Sequence, residues 1–367
     1  MRQDHDVIVI GGGVMGTAAA RALARRGRDT LLLDRFEIGH ARGSSGGPTR
    51  IFRLTYEDPV HVRMARRALE DWRELEDEAG EPLLFTTGGL DIGVEGRPSA
   101  AALEAAGEAF EYLAPEAVAE RWPSLRLAPR TEVFVQEEGG VAMAERTVRA
   151  QARVAAAAGA TIRERTAVDR IEATGVGAVV HTEGETLRAP VVVLTAGPWA
   201  DGLLRDAGID LPLVPSLEQA THLELDDPSP LPTVIDWDVD PPRTPYTVPN
   251  PERPGTFKIA FHMTGPTVDA DDGPFEPDPE RVRRVHEYAP TRFAAHRPTG
   301  VTDTCLYTNT PDEDFVIDRR GSLVIGSPCS GHGFKFAPLI GRILADLATA
   351  QPAPLPIERF LMVRFAG

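Results

Sequence analysis

The sequence predicts an α/β protein, α+β overall, in which a Rossmann-like nucleotide domain is combined with a discontinuous domain built on an antiparallel sheet. The chain opens with a buried strand, a glycine-rich turn and a helix. Its middle alternates short strands with proline-rich turns, and a second glycine-rich turn precedes a helix near the end. These three observations predict that the chain leaves the nucleotide domain twice and returns to it each time.

The first elements form a βαβ unit. The apolar run of residues 6–10 predicts a buried strand, and the Ala- and Leu-rich residues 14–26 predict a helix. Residues 30–33 predict the next strand, which ends at Asp34. The apolar spacing of residues 59–78 predicts an amphipathic helix.

Later elements alternate in type. Residues 85–94 have strand character, and short helices are expected over 99–111 and 115–121. A helix over 145–158 precedes strands between 161 and 195. The last third predicts antiparallel strands over 212–265, a helix over 279–291, strands over 300–308, 315–318 and 323–325, and a helix that begins at Gly331–Gly333 and ends near Ala348.

This alternation predicts two domains that share a ligand, because 367 residues are enough for two cores. The nucleotide domain comprises residues 1–81, 141–211 and 300–367. The second, substrate-binding domain comprises residues 82–140 and 212–299.

The composition excludes several classes of partner. The net charge is −16, from 55 acidic and 39 basic residues, and no basic run occurs, so neither nucleic acid nor a membrane is expected. The amino-terminal residues lack a signal-peptide pattern and no stretch of about 18 apolar residues occurs, which predicts a cytoplasmic protein. Cys305 and Cys329 have no metal-ligand spacing, so no metal is expected.

Gly11, Gly13 and Gly16 form a GxGxxG pattern between the first strand and the first helix. Such glycines allow a pyrophosphate to approach the backbone and to lie against the free N–H groups of the helix N-terminus. Asp34 is placed to accept hydrogen bonds from ribose hydroxyls. The pattern predicts a bound dinucleotide without choosing between FAD and NAD.

The segment 321–335, GSLVIGSPCSGHGFK, favours FAD. A nicotinamide-dependent dehydrogenase seldom has a second glycine-rich turn near its C-terminus. A helix that begins at this turn would direct partial positive charge at the N1/C2=O edge of an isoalloxazine ring and stabilise an anionic reduced flavin. We therefore predict FAD as the cofactor.

At this point the sequence resembles the monomeric sarcosine oxidase and N-methyltryptophan oxidase family of D-amino-acid-oxidase-like flavoproteins. The resemblance covers essentially the whole length. The motifs that carry it are DVIVIGGGVMG at the start, TRIFR at 49–53, GTFKIAFH at 255–262, CLYTNTPDEDFVID at 305–318 and SGHGFKF at 330–336.

The resemblance implies roles for residues on the flavin side of the site. Cys305 matches the cysteine that forms a thioether to the flavin, whereas Cys329 has no counterpart and is expected to pack in a core or loop. Lys258 matches the lysine that promotes reaction of the reduced flavin with O₂, since a fixed ammonium stabilises the negative charge that develops on oxygen. Arg50 matches an arginine beside the flavin ring.

The resemblance also implies a substrate site. Arg53 and Lys335 match a pair of cations that grip the substrate carboxylate. Tyr246 and His262 match an aromatic residue and a histidine that line the pocket. On a strand, His262 would share a face with Lys258, four residues earlier.

Further cofactor contacts are implied at matching positions of the same motifs and of the central strands. These are Val14, Met15, Arg35, Ser44, Ser45, Thr49, Val168, Ala196, Gly197, Trp199, Gly331, His332, Gly333 and Phe334, with Arg50 and Lys335. The chain departs from the family at Ser45 and Gly46, where the sarcosine oxidases have a histidine pair, and over residues 228–254, where no family pattern is present.

The activity implied is FAD-dependent oxidation of the C–N bond of a small secondary amine or amino acid, of the sarcosine-like N-methyl type. The product is an imine that hydrolyses, while O₂ is reduced to hydrogen peroxide. A monomer is expected. Three alternatives stay open: an oxidase of a fructosyl-amino acid or of a cyclic imino acid such as pipecolate, a flavin dehydrogenase with another acceptor, and a flavin-binding sensor. Arg53, Lys258 and Lys335 together argue against the sensor.

Overall fold

The computed structural model of the chain describes residues 4–239 and 244–365. Residues 240–243 lie outside the described residues and fall inside the 228–254 segment that has no family pattern. The helices of the described part are α1 (Val14–Arg25), α2 (Pro59–Ala79), α3 (Arg97–Ala106), α4 (Pro115–Arg121), α5 (Ala144–Ala157), α6 (Ala200–Asp206), α7 (Pro279–Arg292) and α8 (Ala337–Ala348). None of these helices is both long and apolar enough to cross a bilayer.

The strands of the same residues form four sheets. In chain order they are β1 (Val7–Ile10), β2 (Thr30–Leu33), β3 (Thr49–Phe52), β4 (Leu84–Thr86), β5 (Gly89–Ile92), β6 (Glu111–Leu113), β7 (Val133–Gln136), β8 (Gly140–Met143), β9 (Thr161–Arg163), β10 (Val168–Thr174), β11 (Gly177–Thr182), β12 (Thr186–Ala189), β13 (Val191–Leu194), β14 (Val214–Leu225), β15 (Thr233–Asp236), β16 (Pro245–Pro249), β17 (Thr256–Phe261), β18 (His296–Asn309), β19 (Val316–Arg320) and β20 (Leu323–Ser327).

A six-stranded sheet in the order β19-β20-β13-β1-β2-β9 is the centre of the nucleotide domain. Its strands are parallel except for β19 at the edge. Successive residues of β1 enter different cores, because side chains alternate across a strand. Val7 and Val9 pack on the side of α1, α5 and α8, whereas Ile8 and Ile10 pack on the side of α6 and the β10-β11-β12 sheet. The predicted Rossmann-like fold is confirmed.

An eight-stranded, mainly antiparallel sheet in the order β18-β14-β17-β16-β15-β5-β7-β6 forms the second large layer. Strand β18 pairs with β14 from Val214 to Leu225, so this sheet includes residues 300–309, which the sequence division placed with the nucleotide domain. The pairing is explained by the length of β14, whose 12 residues offer a full edge to β18. The division of the chain into two domains otherwise stays a prediction.

One face of this sheet carries most of the candidate strand residues. In the antiparallel register, Tyr246 lies opposite Ala260, and Lys258 lies opposite both Val248 and His222. Residues that face each other in register point to the same side of the sheet. Cys305 lies opposite Glu218 on the same side, two residues along from the pair formed by Ala220 and Asp303.

The structure corrects two predicted helices. The helix expected over 99–111 ends at Ala106, because Gly107 adopts φ +74° and caps it, and residues 111–113 form β6 instead. The last helix does not begin at Gly331–Gly333. Ser330 and Gly331 have φ +41° and +75°, which a right-handed helix cannot include, so a 3₁₀ turn at Phe334–Phe336 leads into α8 at Ala337.

Candidate active site

A cavity of about 430 Å³ lies at the carboxyl ends of β1, β2 and β13. Ligands of open parallel sheets bind at this edge. The predicted cofactor residues that line this nucleotide cavity are Gly11, Gly13, Val14, Met15, Asp34, Arg35, Ser44, Ser45, Arg50, Val168, Ala196, Gly197, Trp199, Gly331, Gly333 and Phe334.

The glycine-rich turn needs its glycines for steric reasons. Gly11 has φ +98°, and a β-carbon there would lie 2.5 Å from the carbonyl oxygen of Thr195. A β-carbon on Gly16 would lie 1.7 Å from the carbonyl oxygen of Gly11. Gly16 therefore does not line the cavity but lets α1 pack against the turn. The backbone N–H of Val14, at the start of α1, donates to Ser45 Oγ at 3.0 Å.

Asp34 is buried beside this turn. Its carboxylate accepts hydrogen bonds from the backbone N–H groups of Gly12 at 2.5 Å and Phe36 at 2.6 Å. Burial raises the pKa of Asp34, and these two hydrogen bonds oppose the rise. The N–H donors fix the carboxylate at the cavity wall, where its remaining acceptor capacity suits ribose hydroxyls.

Two residues that line the nucleotide cavity contact a loop that follows β17. Trp199 Nε1 donates to Asp271 at 2.9 Å, and Arg35 forms an ion pair with the same carboxylate at 2.5 Å. Asp271 was not predicted from the sequence. It lies in a 3₁₀ turn at Ala270–Asp272, about 70 residues from Trp199 in the chain, and no local motif marks it.

The polar groups of the nucleotide cavity fit FAD. The hydroxyl oxygens of Ser44 and Ser327 are buried at its wall, and neither has a hydrogen-bond partner among the described residues. Buried polar atoms are normally satisfied, so these two hydroxyls indicate a polar ligand. The glycine-rich turn, the open N-terminus of α1 and the Asp34 carboxylate are the groups that a pyrophosphate and a ribose require.

The departure from the sarcosine oxidases at Gly46 has a steric explanation. A β-carbon there would lie 2.7 Å from the α-carbon of Ala41. A histidine could not occupy this position without a movement of the backbone. Ser45, its neighbour, is occupied as the acceptor for Val14.

A second cavity of about 370 Å³, the amine cavity, adjoins the first. Arg50, Tyr307, Gly331 and Phe334 line both cavities. The other predicted residues that line the amine cavity are Thr49, Arg53, Tyr246, Lys258, His262, Cys305, His332 and Lys335. The structure thus brings together all of the predicted catalytic and substrate-binding residues.

Two of the 39 basic residues of the chain are lysines, and both line the amine cavity. Lys258 and Lys335 are each 5% exposed. In a chain that uses arginine for nearly every other cation, these positions hold the smaller and more easily titrated ammonium group. The scarcity of lysine could have identified both residues as site candidates from the sequence alone, without a family resemblance.

The predicted carboxylate clamp is assembled around Tyr56, a residue that sequence reasoning missed. Lys335 Nζ donates to Tyr56 Oη at 2.8 Å and to the carbonyl oxygen of His332 at 2.7 Å. The Arg53 guanidinium lies 4.9 Å from the centre of the Tyr56 ring. Burial, together with the positive charge of Arg53, lowers the pKa of Lys335 well below its ordinary value. Two cations therefore converge on one buried place.

A buried carboxylate lies behind this clamp. Asp91 is 3.9 Å from Arg53 Nη1 and accepts a hydrogen bond from Trp237 Nε1 at 2.8 Å. Trp237 lines the amine cavity and was also missed. Both contacts join Asp91 on β5 to residues that are far from it in the sequence, so only the fold brings these residues together.

Beside Arg50, Lys258 Nζ donates to the carbonyl oxygen of Thr49 at 2.9 Å. Burial, followed by the charge of Arg50, lowers the pKa of Lys258 to about 8. Arg50 Nη2 is held by the carbonyl oxygens of Gly46 at 2.6 Å and Ser44 at 3.0 Å. Lys258 therefore keeps its proton at neutral pH but lies close to its titration range.

The aromatic wall of the amine cavity is made of Tyr246, Tyr307 and His262. The hydroxyl oxygens of Tyr246 and Tyr307 are 3.4 Å apart, and the rings of His262 and Tyr307 are 5.8 Å apart. Burial raises the pKa of Tyr246 to about 12. Burial, with the charges of Arg53 and Lys335, lowers the pKa of His262 to about 4. The imidazole is therefore neutral, and the phenols keep their protons.

The two cysteines occupy different cavities. Cys305 lines the amine cavity, where burial raises the pKa of its thiol and the charges of Arg50 and Lys258 oppose the rise. Cys329 lines the nucleotide cavity, and its Sγ accepts a hydrogen bond from the backbone N–H of Thr308 at 3.3 Å. Cys329 lies in the loop that follows β20, as expected, and it also lines the nucleotide cavity.

Comparison with known proteins decides the family. Residues 6–347 match the family described as FAD dependent oxidoreductase. The chain belongs to this family. FAD is its cofactor, and this oxidoreductase acts on amine or amino-acid donors. The roles of its individual site residues stay predictions.

Similar proteins extend over almost the whole of this oxidoreductase. The peroxisomal sarcosine oxidase of Mus musculus is 32% identical, with 98% of this chain and 96% of that protein covered. The monomeric sarcosine oxidase of Bacillus sp. (strain B-0618) is also 32% identical, with 99% and 97% covered. Among solved structures, NikD, an unusual amino acid oxidase essential for nikkomycin biosynthesis, has a TM-score of 0.88 at 28% identity, with 98% of each chain covered. The resemblance to the sarcosine oxidases is confirmed.

Proposed function

We propose that this oxidoreductase oxidises a small secondary amine or amino acid of the N-methyl amino acid type and passes the electrons to O₂, which leaves as hydrogen peroxide. One observation carries the proposal. The amine cavity combines a two-cation clamp, Arg53 and Lys335, with a separate buried ammonium, Lys258, next to the nucleotide cavity. A carboxylate can bind at one end while O₂ reacts at the other. The sarcosine oxidases among its relatives support this substrate class.

The clamp orients the substrate. A carboxylate between Arg53 and Lys335 accepts charge-assisted hydrogen bonds from both. Its negative charge also restores the pKa of Lys335, which burial and Arg53 lower in the free protein. Carboxylate binding and protonation of Lys335 therefore favour each other. Tyr56, already bonded to Lys335 Nζ, fixes the direction of the ammonium.

The amine end of the substrate faces neutral groups. Because the pKa of His262 is about 4, its imidazole can accept a hydrogen bond from the substrate amine without adding a positive charge. Tyr246 and Tyr307 close the wall around it. Bound FAD supplies the electron sink for this oxidation. The protein contributes orientation and a site that favours the uncharged amine.

Lys258 serves the reaction with O₂. Transfer of the first electron to O₂ creates negative charge, and a fixed ammonium stabilises it. The hydrogen bond to the Thr49 carbonyl holds Nζ in place, so little rearrangement is needed when the charge develops. The same role would have no purpose in a dehydrogenase that uses another acceptor.

We further propose that Cys305 tethers the flavin as a thioether, in which an S–C bond would replace one C–H bond of the ring's 8α methyl group while two electrons pass to the flavin and then to O₂. Its thiol lies on the same sheet face as Lys258 and lines the amine cavity, two residues before Tyr307, which lines both cavities. Arg50 and Lys258 both favour the thiolate, which is the nucleophilic form. Acid precipitation of the purified protein should leave the yellow colour in the pellet; colour in the supernatant would refute the tether. A Cys305→Ser variant is the matched control and should release its flavin.

The substrate is tested by peroxide release across a panel of amines. The panel contains N-methyl amino acids, cyclic imino acids such as pipecolate, fructosyl-amino acids and D-amino acids. Sarcosine-like compounds should give the highest kcat/KM. Peroxide from fructosyl or cyclic compounds alone would shift the substrate class. Substrate-dependent bleaching of the flavin without peroxide would identify a dehydrogenase instead. A monomeric state and a cytoplasmic location complete the proposal, and sizing of the purified protein tests the first.

A further inference from the structure

Three polar side chains form a row across three neighbouring strands beneath the amine cavity. Lys258 on β17 lies directly opposite His222 on β14. Asp303 on β18 lies opposite Ala220, two residues before His222, so all three side chains point to the same face of the sheet. Asp303 lines the amine cavity. Neither His222 nor Asp303 belongs to the clamp or to the amine wall.

The middle member of the row is held in a fixed direction. His222 Nε2 is 2.8 Å from Asp303 Oδ2. The ladder between β14 and β18 shifts register between Thr221 and Leu223, so His222 lies at the irregularity. Such bulges redirect side chains next to functional sites. The carbonyl oxygen of His222 also accepts a hydrogen bond from Thr299 Oγ1 at 2.9 Å, which stabilises the bulge.

The carboxylate at the end of the row faces the cations of the flavin side. Asp303 Oδ2 and Arg50 Nη1 lie 3.4 and 3.6 Å from the position that a β-carbon on Gly47 would take. Burial by itself would raise the pKa of Asp303. The hydrogen bond with His222 and the charges of Lys258 and Arg50 outweigh burial and lower it. Asp303 is therefore ionised at neutral pH.

We propose that His222 and Asp303 are a positioning pair for the oxygen site, in which His222 holds the Asp303 carboxylate where it keeps Lys258 protonated beside Arg50. The charge of the ammonium that meets O₂ then depends on residues of four strands, β3, β14, β17 and β18, and not on Lys258 alone. The use of that ammonium rests on the proposed function, whereas its protonation by the pair does not.

The other charged groups around Lys258 do not replace Asp303. Arg50, from β3, is a cation and acts in the opposite direction. Cys305 is a thiol whose pKa is raised by burial, and as a thioether it would carry no charge at all. Removal of the Asp303 charge therefore leaves Lys258 with Arg50 and no permanent anion among these neighbours.

The remaining groups on this face are neutral or already paired. Tyr246, from β16, keeps its proton because burial raises its pKa to about 12. Glu218, the register partner of Cys305, forms an ion pair with Arg281 at 3.0 Å and accepts a hydrogen bond from Ser216 at 3.0 Å. Arg281 and Ser216 therefore compensate the negative charge of Glu218.

The scarcity of lysine allows a direct test. Holoenzyme grown with [6-¹³C]lysine should give two side-chain Cε signals, and the one that disappears in Lys258→Met is assigned to Lys258. In the oxidised wild-type enzyme this signal should titrate near pH 8. In Asp303→Asn the midpoint should fall by about one pH unit, because an opposite charge is lost. An unchanged midpoint would overturn the proposal.

Companion variants separate positioning from folding. His222→Ala should lower the midpoint in the same direction, whereas Asp303→Glu should restore most of it. Asp226→Asn removes an exposed carboxylate that directly follows β14 and is paired with Arg297. This change should leave the Lys258 midpoint at its wild-type value. If Asp303→Asn lost its flavin, the His222→Ala titration would decide: a midpoint equal to that of wild type would reject the pair.

Stopped-flow reoxidation of the reduced enzyme by O₂ distinguishes this proposal from the proposed function. The Asp303→Asn enzyme should lose oxygen reactivity at a lower pH than wild type, with flavin reduction by substrate unchanged at saturation. Normal reoxidation in Lys258→Met would reject the oxygen role of the lysine and leave the NMR result standing. Slow reoxidation in Lys258→Met with a wild-type pH profile in Asp303→Asn would reject the pair alone.

Discussion

The nucleotide cavity and the amine cavity meet at four residues but are built from different parts of the chain. Backbone N–H groups, glycines and the end of a helix form much of the nucleotide cavity, whereas charged and aromatic side chains form the amine cavity. Backbone recognises what every FAD has in common. Side chains recognise what differs between substrates. The two cavities should therefore respond to mutation in different ways, and four experiments test this difference.

The largest effect is expected where a side chain is added to the backbone cavity. In Gly16→Ala the new β-carbon would lie 1.7 Å from the Gly11 carbonyl oxygen, so α1 must move away from the turn. We expect destabilisation of about 3 kcal/mol and loss of bound FAD. Flavin content and thermal unfolding measure both. Gly202→Ala, in a helix at the same cavity with open space at its β-carbon, is the matched control and should keep its FAD. A yellow, stable Gly16→Ala protein would contradict the steric argument.

The amine cavity should lose substrate affinity rather than cofactor. Arg53→Met removes one arm of the clamp, and kcat/KM for a carboxylate substrate should fall about 100-fold or more, since a charge-assisted bidentate contact is lost. Flavin content should stay at the wild-type level. Steady-state kinetics with a matched amine that lacks the carboxylate provides the control, because that compound should hardly distinguish the two enzymes. Equal losses with both compounds would show that Arg53 does not bind the carboxylate.

Lys258→Met should slow one half-reaction of the catalytic cycle and leave the other nearly unchanged. Reoxidation by O₂ should slow about 100-fold, while reduction by substrate stays within a few-fold of wild type. In the wild type the same step should be fastest below pH 8 and decline as pH rises through the Lys258 pKa of about 8, since the neutral amine cannot stabilise superoxide. Stopped-flow measurements from pH 6 to about 9.5 cover this range. A pH-independent rate in the wild type would argue for a different oxygen site.

The smallest effect is expected at the rim of the nucleotide cavity. Asp271→Asn removes an exposed ion pair with Arg35 but can keep the hydrogen bond from Trp199. Exposed pairs contribute at most about 1 kcal/mol, so FAD uptake by the apoprotein should change only a few-fold. Fluorescence quenching of free FAD follows the uptake. A large loss would mean that the Ala270–Asp272 turn closes over the cofactor more tightly than its exposure indicates.

The difference between a cavity of backbone groups and a cavity of side chains also explains how much of each could be predicted from the sequence. The glycine-rich turn, α1 and Asp34 lie within 24 residues, so their spacing alone predicts the nucleotide site. Tyr307 could also have been predicted, because it lies two residues after Cys305 on one strand and must share its face. Tyr56, Asp91 and Asp303 could not, since their roles depend on strand register and on packing between segments far apart in the chain.

The position of helix ends shows a similar limit. Ser330 and Gly331 belong to the motif SGHGFKF, and their positive φ angles delay α8 until Ala337. Periodicity in the sequence predicts the helix itself but not the turn before it, because a glycine can adopt either hand at little cost. The turn places Lys335 at the clamp, so the irregular residues, rather than the helix, determine the site.

Both lysines are buried in the amine cavity, so amine-selective reagents find no lysine ammonium group at the protein surface. Dyes, cross-linkers and activated resins that normally react with many lysines of a protein would find only the two lysine ammonium groups inside the cavity. A carboxylate that occupies the clamp would shield Lys335 from them. The extent of labelling at Lys335 thus becomes a count of empty clamps.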